Sequence, residues 1–127
     1  MTDQLHADVA ATLQPGFIGT STPDWVEGAH RSGLVSVCLY GTNVTGAGGL
    51  APLCAELTRR LPGVLLAVDE EGGDVTRVHY PEGSTTVGNG VLGRLDEPAT
   101  TAAVARHIGA ELAEHGIRLD LAPVVDV

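Results

Sequence analysis

The 127-residue chain contains no lysine, and its seven basic residues are arginines set against sixteen acidic ones, for a formal charge of -9. Nucleic-acid binding and adhesion to an anionic membrane both need clustered positive charge, so that shortage excludes them as expectations. The only aromatic residues are Phe17, Trp25, Tyr40 and Tyr80, too few for a platform that stacks bases. No apolar run approaches the roughly 20 residues of a membrane span. The opening MTDQLHADVAATLQPGF carries Asp3 and lacks the basic and apolar regions of a secretory leader, so the expected location is cytoplasmic. There are two cysteines, Cys38 and Cys54, each inside an apolar stretch. They are expected to be buried free thiols, as suits a reducing compartment. No Cys/His spacing matches a zinc site, and no metal or cofactor is expected.

What is present alternates. Residues 33–40, GLVSVCLY, form a short apolar run ended by Gly41-Thr42-Asn43, and residues 64–69, VLLAVD, form a second. Both read as strands buried on two faces, as parallel sheets require. Between them, Leu50, Leu53, Cys54, Leu57 and Leu61 keep helical spacing over residues 45–61, stopped by Pro62-Gly63. Residues 78–93, rich in Gly, Ser, Thr and Pro, read as a long loop. Asp96 is expected to N-cap a helix starting near Glu97-Pro98. Val104, Ile108, Leu112 and His115 mark its inner face, and Gly116 its left-handed stop. Residues 119–127, LDLAPVVDV, predict a third buried strand, while a short strand at 16–20 and a helix at 23–32 precede the rest. Residues 1–14 read as an N-terminal arm and 15–127 as one α/β unit. Such alternation implies a parallel sheet with right-handed crossovers, either an open doubly wound sheet or part of a (β/α)8 barrel. A barrel needs about 250 residues, so a chain of this length would hold its first half.

Parallel α/β folds place their sites at the C-terminal ends of strands. Asp69, Glu70, Glu71 and Asp74 stand at one such end, Asp120 and Asp126 flank another. Asp69, last in a buried strand, can be held rigidly enough to accept hydrogen bonds from sugar hydroxyls. Arg77 can donate into the same pocket from a planar fork. Gly72-Gly73 permits a tight turn and close approach of a ligand, and Glu71 and Asp126 would support the site through hydrogen bonds. The same residues also fit an acidic turn that Arg77 merely neutralises. A magnesium site at Asp69 and Glu71 is a third reading, resting on only two carboxylates. The glycines make no phosphate loop, since there is no GxxxxGK[ST]. His79 reads as a solvent-exposed loop histidine and His115 as a structural one near a helix end.

LLAVDEEGGDVTRV, followed by IGAELAEHGIRLDLAPVVDV, resembles the family 3 glycoside hydrolases, most of all their bacterial beta-N-acetylhexosaminidase branch. GLVSVCLYGTNV and PGFIGT are similar to the family's earlier strands. The resemblance implies a TIM-type barrel whose first part lies here. It also implies that Asp69 and Arg77 bind a terminal sugar, and that hydrolysis retains configuration without metal or cofactor. Where the family most often has Arg, this chain has Asp74. The family's catalytic aspartate and its histidine, near a K-H-x-P-G-H-G motif, come from later segments, so no catalytic residue is expected in this chain. The alternative is a non-catalytic carbohydrate-binding α/β domain.

Overall fold

The computed structural model describes residues 2–44 and 49–125. Strands β1 (Ser36–Cys38), β2 (Leu65–Val68) and β3 (Leu119–Asp120) form one parallel sheet in the order β1-β2-β3. Helix α1 (Thr2–Ala11) opens the chain and α2 (Asp24–Arg31) leads into β1. Helix α3 (Ala51–Arg60) crosses from β1 to β2, and α4 (Asn89–Leu95) and α5 (Pro98–Glu114) cross from β2 to β3. Parallel neighbours need such crossovers, because a hairpin cannot join strands that run the same way.

The pleat sorts the strand residues onto two faces. Val37 and Leu39 of the β1 run and Leu66 and Val68 of β2 join one apolar cluster with Val26, Leu53, Leu57, Ile108 and Leu112 from the helices. In register on the opposite face lie Ser36 and Cys38 beside Leu65 and Ala67, with Ala67 beside Leu119. All three residues of β1 are buried, so the strand is covered on both sides as its unbroken apolar run requires. Across the two crossovers, α3 buries Leu53, Cys54 and Leu57, and α5 buries Ile108 and Leu112. Gly116, at φ +75°, ends α5, and the Ile117 amide returns to the Leu112 carbonyl at 3.0 Å. Cys38 and Cys54 are both free and buried.

Several expectations change in the folded chain. The strand expected at 16–20 is not one, although its neighbourhood is right: the Cys38 amide donates to the Pro15 carbonyl at 3.0 Å along the outer edge of β1. Proline has no N–H to return at that point. The N-terminal arm contains α1, whose Ala7 lies directly against Gly33. The loop expected at 78–93 gives way to α4 from Asn89 onward; only Leu92 of this helix is buried, so its sequence carries no periodic signal. Asp96 is not the N-cap of α5. It is the C-cap of α4, left-handed at φ 50°, and Glu97 takes the N-cap position. Aspartate tolerates that backbone region better than most residues, which is why the same residue type serves either end of a helix. The third strand is confined to Leu119–Asp120, and beyond it Leu121, Val124 and Val125 are 44%, 55% and 80% exposed rather than buried.

Candidate functional site

Strand β2 ends at Val68, and the next two residues diverge because the pleat sends alternate side chains to opposite faces. Asp69 continues the face of Ala67, away from the helices. Glu70 continues the face of Val68, toward them, and is 3% exposed.

The Glu70 carboxylate is the organiser of the loop. One of its oxygens, Oε2, accepts from the Thr76 hydroxyl at 3.0 Å, the Arg77 amide at 2.7 Å and the Val78 amide at 3.0 Å. Its own amide donates to Asp120 Oδ1 at 2.9 Å, which ties the end of β2 to the end of β3. Burial pushes the Asp120 carboxyl above the usual aspartate range, against the pull of that hydrogen bond. This arrangement folds residues 70–78 back so that Arg77 meets Asp69: Nη2 stands 3.2 Å from Oδ2, with the two side chains 22% and 27% exposed. Arg77 Nη1 reaches the Thr76 carbonyl at 3.5 Å, while the buried Nε has no hydrogen-bond partner among the described residues. The two residues singled out from the sequence are thus together, partly screened from water, at the C-terminal edge of the parallel sheet. Glu70 was named there only as one of a cluster. Its signal lay in the alternation of a buried strand, which turns one of two successive carboxylates inward.

Gly72 and Gly73 adopt φ +75° and +58° and let the Val75 amide reach the Gly72 carbonyl at 3.2 Å. The space over them belongs to the chain itself. A Cβ on Gly72 would fall 2.6 Å from Thr86 Oγ1, and one on Gly73 would fall 2.9 Å from the Gly88 backbone. These glycines admit the close approach of residues 86–88 of the chain itself. Glu71 accepts a hydrogen bond from Asn89 Nδ2 at 3.1 Å, holding the start of α4, and Asp74 is exposed. His79 is not a free loop histidine: its Nε2 lies 2.7 Å from Glu111 Oε1, off the line of a hydrogen bond. His115 donates from Nδ1 to the Glu111 carbonyl at 2.8 Å, a structural role as expected. Asp126 lies outside the described residues.

Two further groups complete the corner. Asn43, buried in the 3-10 turn Gly41–Asn43 after β1, donates to the carbonyls of Phe17 and Gly19 at 3.0 and 2.7 Å and accepts from the Tyr40 amide at 2.8 Å. It fastens the N-terminal segment to the end of β1. Tyr40 and Tyr80 are 41% and 55% exposed. The Tyr40 ring lies against Gly16, whose Cβ would come 2.5 Å from its Cε2, and the Tyr80 ring covers Gly41 so closely that any Cβ there would collide. The neighbouring Cys38 thiol raises the Tyr40 phenol above its ordinary value, and burial raises the thiol.

No family model matches the chain. A beta-hexosaminidase from Aromatoleum aromaticum is 38% identical over 98 residues, covering 72% of this chain and 28% of that protein. A beta-hexosaminidase from Xylella fastidiosa is 32% identical over 110 residues, covering 82% of this chain and 32% of its own. The solved structure of a glycoside hydrolase family 3 beta-N-acetylglucosaminidase from Paenibacillus sp. str. FPU-7 superposes with a TM-score of 0.83 at 27% identity, over 97% of this chain and 24% of that one. The chain belongs to glycoside hydrolase family 3. It spans 28% and 32% of the length of the two curated relatives. Its three parallel strands and their crossover helices are an N-terminal portion of the family 3 barrel domain, which settles the choice between barrel and open sheet. Among the described residues, no helix is long and apolar enough to cross a membrane.

Proposed function

We propose that this chain is the N-terminal portion of a retaining glycosidase that removes terminal beta-linked N-acetylhexosamine, and that Asp69 and Arg77 hold the sugar. The observation that carries the reading is the Asp69–Arg77 pair, 3.2 Å apart at the C-terminal end of β2, in a chain whose relatives are beta-hexosaminidases. A fixed carboxylate accepts from hydroxyl groups and a guanidinium donates to hydroxyl or amide oxygens, so the pair matches both halves of a sugar's hydrogen-bonding capacity. Cytoplasmic residence is part of the proposal, supported by two free buried thiols.

The bond-breaking groups are proposed to lie outside this chain. Retaining hydrolysis needs a nucleophile and an acid/base group about 5–5.5 Å apart across the scissile bond. Among the described residues, four of the carboxylates at these strand ends are engaged otherwise. Asp69 pairs with Arg77, Glu70 is spent on three internal donors, Glu71 holds Asn89, and Asp120 receives the Glu70 amide.

Titration of the chain with N-acetylglucosamine, followed by amide NMR, tests the sugar site. Saturable shifts at Asp69 and Arg77 are expected, weakened roughly ten- to hundredfold in Asp69→Asn and in Arg77→Ala, since a charged hydrogen bond contributes about 1.5–3 kcal/mol. Shifts that both variants leave untouched would remove these residues from the site. The same chain should show no turnover of an aryl N-acetylglucosaminide, and measurable hydrolysis would overturn the assignment of the chemistry to other segments.

A further inference from the structure

The register between β1 and β2 places one more residue beside the pair. Cys38 is the partner of Ala67, and the Leu39 amide continues the ladder to the Ala67 carbonyl at 2.8 Å. Two residues on, Tyr40 stands next to Asp69, and the backbone there is still extended at φ -128° and ψ 170°. Alternation puts Tyr40, like Asp69, on the sheet face that points away from the helices.

We propose that Tyr40 is a third sugar-contacting residue of this corner, its ring giving the pyranose an aromatic face while Asp69 and Arg77 take the hydroxyls. The proposal rests on the reading of Asp69 and Arg77 as a sugar site. The part given to the ring has further support of its own. Of the four aromatic residues, Phe17 is in the core and Trp25 sits on α2, on the helix side of the sheet. The two tyrosines are the ones placed at the loops following β1 and β2. Tyr40 is seated from behind: Gly16 lies against its ring edge, where a side chain would not fit, and Asn43 holds its backbone amide. It nevertheless remains 41% exposed. A ring braced on one side and open on the other is prepared for contact at little entropic cost. The Tyr80 ring, packed over Gly41, steadies the adjoining turn. A sugar ring presents C–H hydrogens on one face and hydroxyls around its rim. The electron-rich face of an aromatic ring complements the first, and fixed polar groups complement the second.

The test is N-acetylglucosamine binding to the full chain, read by aromatic NMR shifts and by saturation transfer to the sugar C–H protons. Wild type should shift the Tyr40 ring signals saturably. Tyr40→Phe should bind within about threefold of wild type, because the ring is kept. Tyr40→Ala and Tyr40→Leu should weaken binding roughly tenfold, the scale of one lost aromatic contact. Tyr40→Leu guards against a folding artefact, since it keeps bulk over Cys38; an unfolding midpoint near wild type together with lost binding supports the proposal. Leucine or alanine variants that bind like wild type, while Asp69→Asn does not bind, would overturn the role of Tyr40 and leave the sugar site standing. No saturable binding by wild type would overturn both.

Discussion

Replacing Glu70 by alanine is the sharpest test of how this corner is built. The side chain is 3% exposed and one oxygen accepts from the Thr76 hydroxyl and from the Arg77 and Val78 amides. In Glu70→Ala the hydroxyl can rotate to another acceptor, but the two peptide N–H groups cannot. At about 1–3 kcal/mol for each stranded buried donor, the two amides alone give about 2–6 kcal/mol. Relief of the carboxylate's own desolvation offsets part of that, leaving an expected net loss of about 3 kcal/mol. Domains are commonly stable by about 5–15 kcal/mol, so the change is large. With a urea slope of about 1–3 kcal/mol per molar, the unfolding midpoint should fall by at least about 1 M. Glu70→Gln, which keeps a carbonyl acceptor in the same place, should lose less than half as much. Amide hydrogen exchange should locate the damage at Arg77 and Val78 before the rest of the sheet opens. An alanine variant whose midpoint stays within about 0.3 M of wild type, with Arg77 and Val78 still protected, would refute the argument.

Asp120 supplies a pH test whose sign follows from burial. Its carboxyl is raised in the folded chain, so the folded state holds a proton that the unfolded state has already lost. Stability should therefore fall as pH rises through the window just above the ordinary aspartate value of about 3.9. Asp120→Asn, which keeps an acceptor for the Glu70 amide, should flatten that slope in urea midpoints measured on either side of the window; a slope identical to wild type would show that Asp120 is not its source. The thiols give another. Burial pushes Cys54 up to about 11 and also raises Cys38. Both should resist a disulfide reagent at pH 8 and react only as urea unfolds the chain, whereas fast labelling of the native chain would contradict their burial.

Where the sequence was legible, one dominant signal acted locally. The apolar runs around Val37 and Leu66 became strands buried on both faces, because an unbroken run leaves no face for water. The spacing of Leu53, Cys54 and Leu57, and of Ile108 and Leu112, became the inner faces of α3 and α5. Asp69 and Arg77, eight residues apart, were legible as a pair because a strand-end carboxylate and a nearby guanidinium have few other ways to be satisfied. Helix α4 was not legible: NGVLGRL has two glycines and one buried side chain, Leu92, which lines a cavity together with Val104 and Ile108 of α5. Asp96 was misplaced because the end of one helix and the start of the next compete for the same residue type.

What the sequence determined by itself was the alternation of buried strands and amphipathic helices, and with it a parallel sheet whose strand ends carry carboxylates. Which carboxylate faces where was decided only by the tertiary structure. The pleat of β2 sends Asp69 outward and Glu70 inward, and the inward one closes the loop on Arg77 through contacts six to eight residues away. The glycine pair was likewise readable as a turn, but only the fold shows that residues 86–88 fill the space above it. Local pattern fixes which groups must be buried or exposed; the partner each one finds depends on packing between segments distant in the chain.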